Sequence, residues 1–308
     1  MTTLLYSHPR CLDHDVGAHH PECPARLTAV LAALDEPRFA ALDRRAAPLA
    51  DLADIARTHP RAYIDGLLAA VPKTGVVGID GDTSLSPGSG EAALRAAGAV
   101  CAAVDAVVAG EGRNAFCAVR PPGHHAERAQ AMGFCLFNNV AIAARRARDV
   151  HGLARVAVID FDVHHGNGTQ HDFEGEPSLF YASTHQMPLY PGTGAAFETG
   201  VGNIVNAPLR PYAGSTEFRH AIANQILPRL ADFAPEMILI SAGFDAHRDD
   251  PLANLELGEA DFTWVTDQLT GLAARLCGGR IVSSLEGGYN LDALASSAAA
   301  HVAALMAV

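Results

Sequence analysis

The sequence lacks several patterns that would place it in a familiar class of protein. Its six cysteines contain no Cys-x-x-Cys pair, which argues against a zinc ribbon or a redox motif. It has no Gly-x-x-x-x-Gly-Lys-Ser/Thr run, so a phosphate-binding loop is not indicated. No uncharged span reaches the ~18 to 20 residues of a membrane helix, and the N-terminus lacks a basic region followed by a long apolar one. We therefore expect a cytoplasmic protein with reduced thiols and no membrane partner.

Linkers and an excess of positive charge are also absent. No Pro/Ser linker or low-complexity tract divides the 308 residues, so we predict a single domain over residues 1–308. The 49% hydrophobic and 18% charged fractions are typical of a globular enzyme. The formal net charge of −12 disfavours nucleic acid as a partner and favours attraction of cationic substrates. The sequence leaves homo-oligomer formation open.

Strands alternate with helices along most of the chain. Apolar runs predict strands at residues 3–6, 115–119, 156–161, 178–183, 203–207, 237–241 and 280–285. Helices are predicted at 24–34, 49–71 with a break at Pro60, 89–108 with Ser89 as N-cap, 138–149, 215–232, 259–276 and 291–303, and residues 75–90 are predicted to be a loop. This order predicts an α/β fold with a central, mostly parallel sheet, helices on both faces, and an active site at the C-terminal ends of the strands.

The stretch from Val156 to Thr169 carries more polar groups than a buried strand tolerates. Its apolar first half leads into Asp160, Asp162 and His164, which an extended chain would project to one face. Buried carboxylates beside an imidazole need a cation. Polar clusters also follow three other predicted strands, at 120–125, 243–250 and 286–290, so we expect all four to meet at one edge of the sheet.

These clusters supply the parts of a hydrolase. Asp162, His164 and Asp245 form a three-ligand set that leaves an open position for water; it suits zinc, and its two oxygens and one nitrogen also suit iron(II). The pair His124-His125 is placed for proton transfer, with Asp160 and Asn167 as orienting partners, and Tyr289 is a candidate donor to a developing oxyanion. His165 is expected to have a structural role beneath the site.

Together these segments resemble the histone deacetylase superfamily, closest to its class II type and to the bacterial histone deacetylase-like and acetylpolyamine amidohydrolases. The resemblance runs from near residue 8 to near residue 293. Its motifs are His20-Pro21-Glu22 with Arg26, Arg120-Pro121-Pro122-Gly123-His124-His125-Ala126, Gly133-Phe134-Cys135-Leu136-Phe137-Asn138-Asn139, Asp160-Phe161-Asp162-Val163-His164-His165-Gly166-Asn167-Gly168, Tyr190-Pro191-Gly192-Thr193-Gly194, Ser241-Ala242-Gly243-Phe244-Asp245-Ala246-His247 and Glu286-Gly287-Gly288-Tyr289.

The resemblance implies an arginase/deacetylase-type fold and metal-assisted hydrolysis of an acetamide to acetate and a free amine. It implies zinc on Asp162, His164 and Asp245, His125 as general base and acid oriented by Asn167, His124 acting electrostatically with Asp160, and Tyr289 polarising the acyl carbonyl. It also implies a channel lined by Gly133, Phe134, Tyr190 and Leu252, Arg26 beside an internal exit for acetate, and potassium held largely by backbone oxygens of Asp160, Asp162, His164, Ser183 and Thr184.

The substrate is predicted to be an acetyl-lysine side chain, with acetylated polyamines as the alternative. Polyamine-specialised members place an acid at the pocket rim, and this chain has Leu252 at one such position, although Glu22, Asp249 and Asp250 are candidates for a rim acid. Two rival functions fit the residues less well. A ureohydrolase with two manganese ions and a guanidine substrate would leave the His pair and Tyr289 unused, and a silent binder of acetyl groups would have lost part of this set.

Overall fold

Most strands of the main sheet form at short apolar runs such as Val156–Asp160 and Met237–Ala242. The computed structural model describes residues 2–307. Its strands are β1 (Thr3–Ser7), β2 (Asp43–Ala46), β3 (Val77–Gly78), β4 (Ser84–Leu85), β5 (Asn114–Cys117), β6 (Val156–Asp160), β7 (Leu179–Gln186), β8 (Ile204–Leu209), β9 (Met237–Ala242) and β10 (Ile281–Leu285).

Eight of these strands form one sheet in the order β2-β1-β5-β10-β9-β6-β7-β8, and every pair in it is parallel. The central strands β6, β9 and β10 are buried along their whole length, as strands covered on both faces must be. Burying one aliphatic side chain contributes about 1.5 to 3 kcal/mol, so these strands make a large share of the core.

Helices cover both faces of the sheet. One layer contains α4, which packs on β1, β5 and β10, and α5, which packs on β6 and β9; the other contains α10, which packs against both α1 and α9. The helices are α1 (Pro24–Leu34), α2 (Leu52–Ile55), α3 (Arg61–Ala70), α4 (Ser89–Val108), α5 (Asn139–Asp149), α6 (Asn167–Phe173), α7 (Ser215–Ala221), α8 (Leu227–Phe233), α9 (Glu259–Leu276) and α10 (Leu291–Met306). The predicted α/β architecture is confirmed.

Several local predictions were wrong in detail. Helix α4 starts with Ser89 inside its first turn and Gly88 at the N-cap, because the Ser89 hydroxyl already bonds the Ser86 amide and His14. The predicted loop at 75–90 contains the small antiparallel pair β3 and β4. The predicted helix at 215–232 is interrupted by a π turn over Ile222–Ile226, since Pro228 has no N–H to continue the ladder.

The order of the strands creates the cleft. From β6 the chain moves outward to β7 and β8, and then returns to the other side of β6 to form β9 and β10. The order therefore reverses between β6 and β9, and ligands of parallel sheets bind at such a reversal. The ends of β5, β10, β9 and β6 are neighbours, so the polar segments that follow them meet at one edge. Within residues 2–307, no helix is both long and apolar enough to cross a membrane.

Candidate metal centre and catalytic pocket

Three side chains converge at the point where the strand order reverses. Asp162 and His164 follow β6, and Asp245 follows β9; their ligand atoms all lie within 4.8 Å of one another. The Nδ1 atom of His164 lies 3.1 Å from Oδ1 of Asp162 and 3.1 Å from Oδ2 of Asp245. All three are buried. Two buried carboxylates that meet at one imidazole suit a divalent cation with nitrogen and oxygen ligands.

Backbone amides and two glycines hold this set in place. The Gly287 amide donates to Oδ2 of Asp162 over 2.8 Å, and the Val163 amide donates to Oδ1 of Asp245 over 2.9 Å. A Cβ atom at Gly243 would overlap the Asp162 carboxylate, and one at Gly287 would overlap the carboxylate of Asp245. Glycine at both positions therefore leaves room for the two carboxylates. The residues present fit a cation.

Asp160 does not join this set, although extended alternation predicted that it would share a face with Asp162 and His164. Strand β6 ends at Asp160, and its Oδ2 accepts from Nδ1 of His124 over 2.9 Å and from the Tyr181 hydroxyl over 3.0 Å. Burial disfavours the charged imidazole, but the carboxylates of Asp160 and Asp162 outweigh it and raise the pKa of His124 to about 10. His124 is thus held as a cation beside the ligand set.

His125 has the opposite environment. Its Nδ1 lies 2.8 Å from Oδ1 of Asn167, an amide that carries no charge. Burial and the neighbouring His124 and His164 hold the pKa of His125 well below its usual value. The imidazole is therefore neutral at pH 7, and it lines the cavity. The two adjacent histidines are therefore held in different protonation states.

A buried carboxylate positions the turn that carries both histidines. Glu286, just after β10, accepts from the Gly123 amide over 2.6 Å and from the His124 amide over 3.2 Å. Its pKa is raised to about 7 by burial. Glu286 belongs to the cluster predicted to follow this strand, and its contacts give it a positioning function.

A cavity of about 230 Å³ leads from the surface to these groups. The four residues that the resemblance assigned to a channel all line it, and so do His125, His164 and Tyr289. The Phe134 ring packs edge-on against Tyr289, and the Tyr190 ring packs edge-on against His125. The full lining is Asp82, His125, Gly133, Phe134, His164, Leu189, Tyr190, Leu252 and Tyr289.

The floor behind Tyr289 is a fully buried ion cluster. Arg26 donates to the Gly288 carbonyl over 2.6 Å and to Glu22 over 2.9 Å, and its guanidinium lies 4.9 Å from the centre of the Tyr289 ring. Arg120 bonds both oxygens of Glu22. Arg26 does not line the cavity, so it contacts the pocket only through Tyr289.

The candidate rim acids of the sequence were misplaced. Glu22 is completely buried in the ion cluster. Asp250 is also buried and accepts from the Tyr289 amide over 2.7 Å, so it positions that tyrosine, whereas Asp249 is exposed outside the cavity lining. The acid at the mouth is Asp82, whose Oδ1 accepts from the Thr83 hydroxyl and from the Gly133 amide.

Other predicted residues lie next to the site. Ser183 is the cross-strand neighbour of Asp160, and its hydroxyl lies 2.9 Å from Nδ1 of His185. His165 is buried between Thr193 and Gln170, with one hydrogen bond on each ring nitrogen. These contacts make His165 a structural residue.

The sheet reversal and the side chains beside it define an α/β fold with a candidate metal centre, and comparisons with known proteins define its family. The histone deacetylase domain model matches residues 20–305. The chain is 42% identical to histone deacetylase 14, chloroplastic, of Arabidopsis thaliana, over 98% of this chain and 76% of that protein. It is 40% identical to the histone deacetylase-like amidohydrolase of Pseudomonas aeruginosa, over 94% and 82% of the two chains.

A solved structure agrees with these relatives. The crystal structure of the HDA15 HD domain superposes with a TM-score of 0.92 at 35% identity, covering 99% of this chain and 91% of that one. The chain belongs to the histone deacetylase family. The match supports a hydrolase of the deacetylase and amidohydrolase type, and the predicted family is confirmed.

Proposed function

We propose that the chain is a zinc-dependent deacetylase that hydrolyses the acetamide of acetyl-lysine side chains to acetate and a free amine. The observation that carries this proposal is the bottom of the cavity, where neutral His125, the ligand residue His164 and the hydroxyl-bearing Tyr289 face one space. An acyl group that enters the cavity would meet a base, a cation site and a hydrogen-bond donor together.

Asp162, His164 and Asp245 would hold the zinc, and the same donors would also accept iron(II). When bound, such a cation polarises an acyl oxygen and lowers the pKa of a water molecule. The donor set supplies three ligands, as in catalytic sites that keep a position open. Gly243 and Gly287 leave room for the carboxylates of Asp162 and Asp245, which a Cβ at either position would overlap.

The two histidines would divide the proton transfer and the charge stabilisation. His125 is neutral and bonded through Nδ1, so its Nε2 is available to take a proton from the attacking water and to return it to the leaving amine. His124 is held as a cation by Asp160, so it would stabilise negative charge without exchanging its proton.

Tyr289 would donate to the developing oxyanion. Burial raises the pKa of its hydroxyl well above the usual value, although Arg26 opposes this effect, so the proton stays on the oxygen. Its backbone is fixed by Asp250 and its ring lies against Arg26 and Phe134. A fixed donor that needs no rearrangement is the most effective stabiliser of such a charge.

The shape of the cavity supports acetyl-lysine as the substrate. Its walls are aromatic and aliphatic, which suits the methylene arm of lysine, and only Asp82 adds a carboxylate at the mouth. That carboxylate would accept backbone N–H groups of a peptide; in the alternative, it would hold a distal ammonium of a polyamine. The position named for polyamine specificity is Leu252, an apolar wall residue.

A comparison of substrates tests this choice. The zinc-loaded enzyme is given acetyl-lysine peptides, acetylspermidine and acetylcadaverine, and kcat/KM is measured for each. We expect the peptides to have the highest kcat/KM. A strong preference for the small amines would contradict acetyl-lysine, and failure to hydrolyse any of the three would contradict deacetylation itself.

We also propose potassium near the zinc, held by oxygens of Asp160, Asp162, His164, Ser183 and Thr184. The pairing of Asp160 with Ser183 across β6 and β7 brings two of these residues side by side and supports this site. Replacing the sodium in the buffer with potassium at constant ionic strength should raise the melting temperature of the enzyme. An unchanged melting temperature would argue against the site.

A further inference from the structure

A chain of hydrogen bonds leads from the cavity to the surface behind His125. Nδ1 of His125 lies 2.8 Å from Oδ1 of Asn167, and Nδ2 of Asn167 donates to Oε1 of Glu127 over 2.5 Å. On its outer side, Glu127 accepts from Nδ1 of His171 at 2.8 Å and 3.0 Å. The first two side chains are buried, whereas Glu127 is 22% exposed and His171 is 44% exposed.

An amide at the inner position has two orientations with opposite consequences. With Oδ1 of Asn167 facing His125, the proton of the neutral imidazole must lie on Nδ1, which leaves Nε2 free to accept a proton. With the amide reversed, Nδ2 would donate to Nδ1, the imidazole proton would move to Nε2, and His125 could not act as a base. A carboxylate at this position has no such ambiguity, because both of its ends accept.

The surroundings of Asn167 select one orientation. Its Nδ2 faces three acceptors: the Glu127 carboxylate, the backbone oxygen of His125 at 3.4 Å and the sulfur of Met132 at 3.4 Å. Reversal would place Oδ1 against the carboxylate, with two acceptors in contact and no proton between them. The contact with the Glu127 carboxylate is the shortest of the three and involves an acidic group, so it contributes most to the orientation of the amide.

We propose that Glu127 is a positioning residue that fixes the orientation of the Asn167 amide and thereby the tautomer of His125. The inference rests on the proposed function, because it concerns the proton that His125 exchanges. Glu127 does not line the cavity and would not touch the substrate. Replacing Glu127 should therefore lower kcat and leave KM little changed.

The test is a reversal of the donor and acceptor order. Glu127→Lys presents only donors to the amide, so it should reverse Asn167 and lower kcat on the order of 10²-fold. Asn167→Asp alone sets a second carboxylate against Glu127 and should lower kcat as well. The double variant offers an aspartate that accepts from both His125 and Lys, so its kcat should return to within about threefold of the wild type.

Two further variants separate this effect from charge and packing. Glu174→Lys makes the same charge change at an exposed position of the same surface, and it should leave kcat unchanged. Glu127→Gln keeps the shape and one acceptor oxygen, so it should keep most of the activity. Because glutamine fits the same space as glutamate, kcat of Glu127→Gln can be compared with that of the wild type even if Glu127→Lys folds poorly.

The tautomer of His125 gives a readout that does not require turnover. Two-bond ¹H–¹⁵N spectra of the zinc-loaded enzyme should show the His125 proton on Nδ1 in the wild type and on Nε2 in Glu127→Lys. A His125 tautomer that is unchanged in Glu127→Lys, or a double variant that folds without recovering kcat, would overturn the proposal. Absence of deacetylation by the wild type would instead overturn the proposed function. The two failures are distinguishable, because the spectra report the tautomer of His125 whether or not the enzyme turns over.

Discussion

Replacing Glu22 with glutamine should destabilise the protein in a pH-dependent way. The Glu22 carboxylate is completely buried between two guanidinium groups: Arg26 donates to Oε1 over 2.9 Å and Arg120 donates to Oε2 over 2.6 Å. Burial favours the neutral acid, but the charges of Arg120 and Arg26 outweigh it and lower the pKa of Glu22 from 4.5 to about 2. Glutamine keeps the size and removes the charge.

The size of the effect follows from this pKa. The difference between 4.5 and about 2 corresponds to about 3 kcal/mol of stability. Because the folded pKa is the lower one, this contribution is complete above pH 4.5 and is lost as the pH falls from 4.5 towards 2. Glu22→Gln should therefore lower the free energy of unfolding by about 3 to 5 kcal/mol at pH 7, as when one partner of a buried pair is removed.

The dependence on pH distinguishes charge from packing. Between pH 5 and pH 3.5 the difference between wild type and variant should shrink by about 1 kcal/mol, since the wild type protonates Glu22 on unfolding and the variant has no group to protonate. Urea unfolding at each pH measures it, with Glu36→Gln as the control, because Glu36 forms an exposed pair with Arg38. A constant difference across this range would refute the charge-based account.

Three other changes probe the pocket. Tyr289→Phe should lower kcat about 10²- to 10³-fold with unchanged zinc content; unchanged kcat would remove Tyr289 from the mechanism. Asp82→Asn should raise KM for acetyl-lysine peptides more than it changes kcat, and equal KM values would exclude a role for Asp82 at the mouth. Gly287→Ala should lose bound zinc, measured by elemental analysis, because its Cβ would overlap the carboxylate of Asp245; retained zinc would contradict this, and Gly271→Ala in α9 is the control.

The predictable parts of the fold and of the site are those that depend on residues close together in the sequence. Each of β5, β6, β9 and β10 is a short, largely apolar run with polar residues within a few positions of its end, so the sequence predicts both the strand and the cluster. Parallel pairing then brings the strand ends to one edge. The charged edge strand β2 and the helix α6, which begins at Asn167-Gly168, have no apolar pattern of their own and were missed.

The missed site residues depend on tertiary contacts. Asp82 lies in a loop rich in glycine and serine, and only packing on Gly133 brings it to the cavity mouth. Tyr181 looks like any buried strand residue, yet its hydroxyl reaches Asp160. Glu22 and Arg120 are separated by 98 residues, so neither local sequence predicts that they form an ion pair. Glu127 lies two residues after His125, and its contact with Asn167 is visible only in the folded chain.

The proposed reaction depends on one cation bound by Asp162, His164 and Asp245, which would support hydrolysis of an acetyl-lysine amide. The most direct test is a zinc titration of the chelator-stripped enzyme, with release of acetate from an acetyl-lysine peptide followed at each step. We predict no release without metal, and activity that rises to a plateau at one zinc per chain. Activity that needs two divalent ions per chain, or that does not depend on added metal, would contradict the claim.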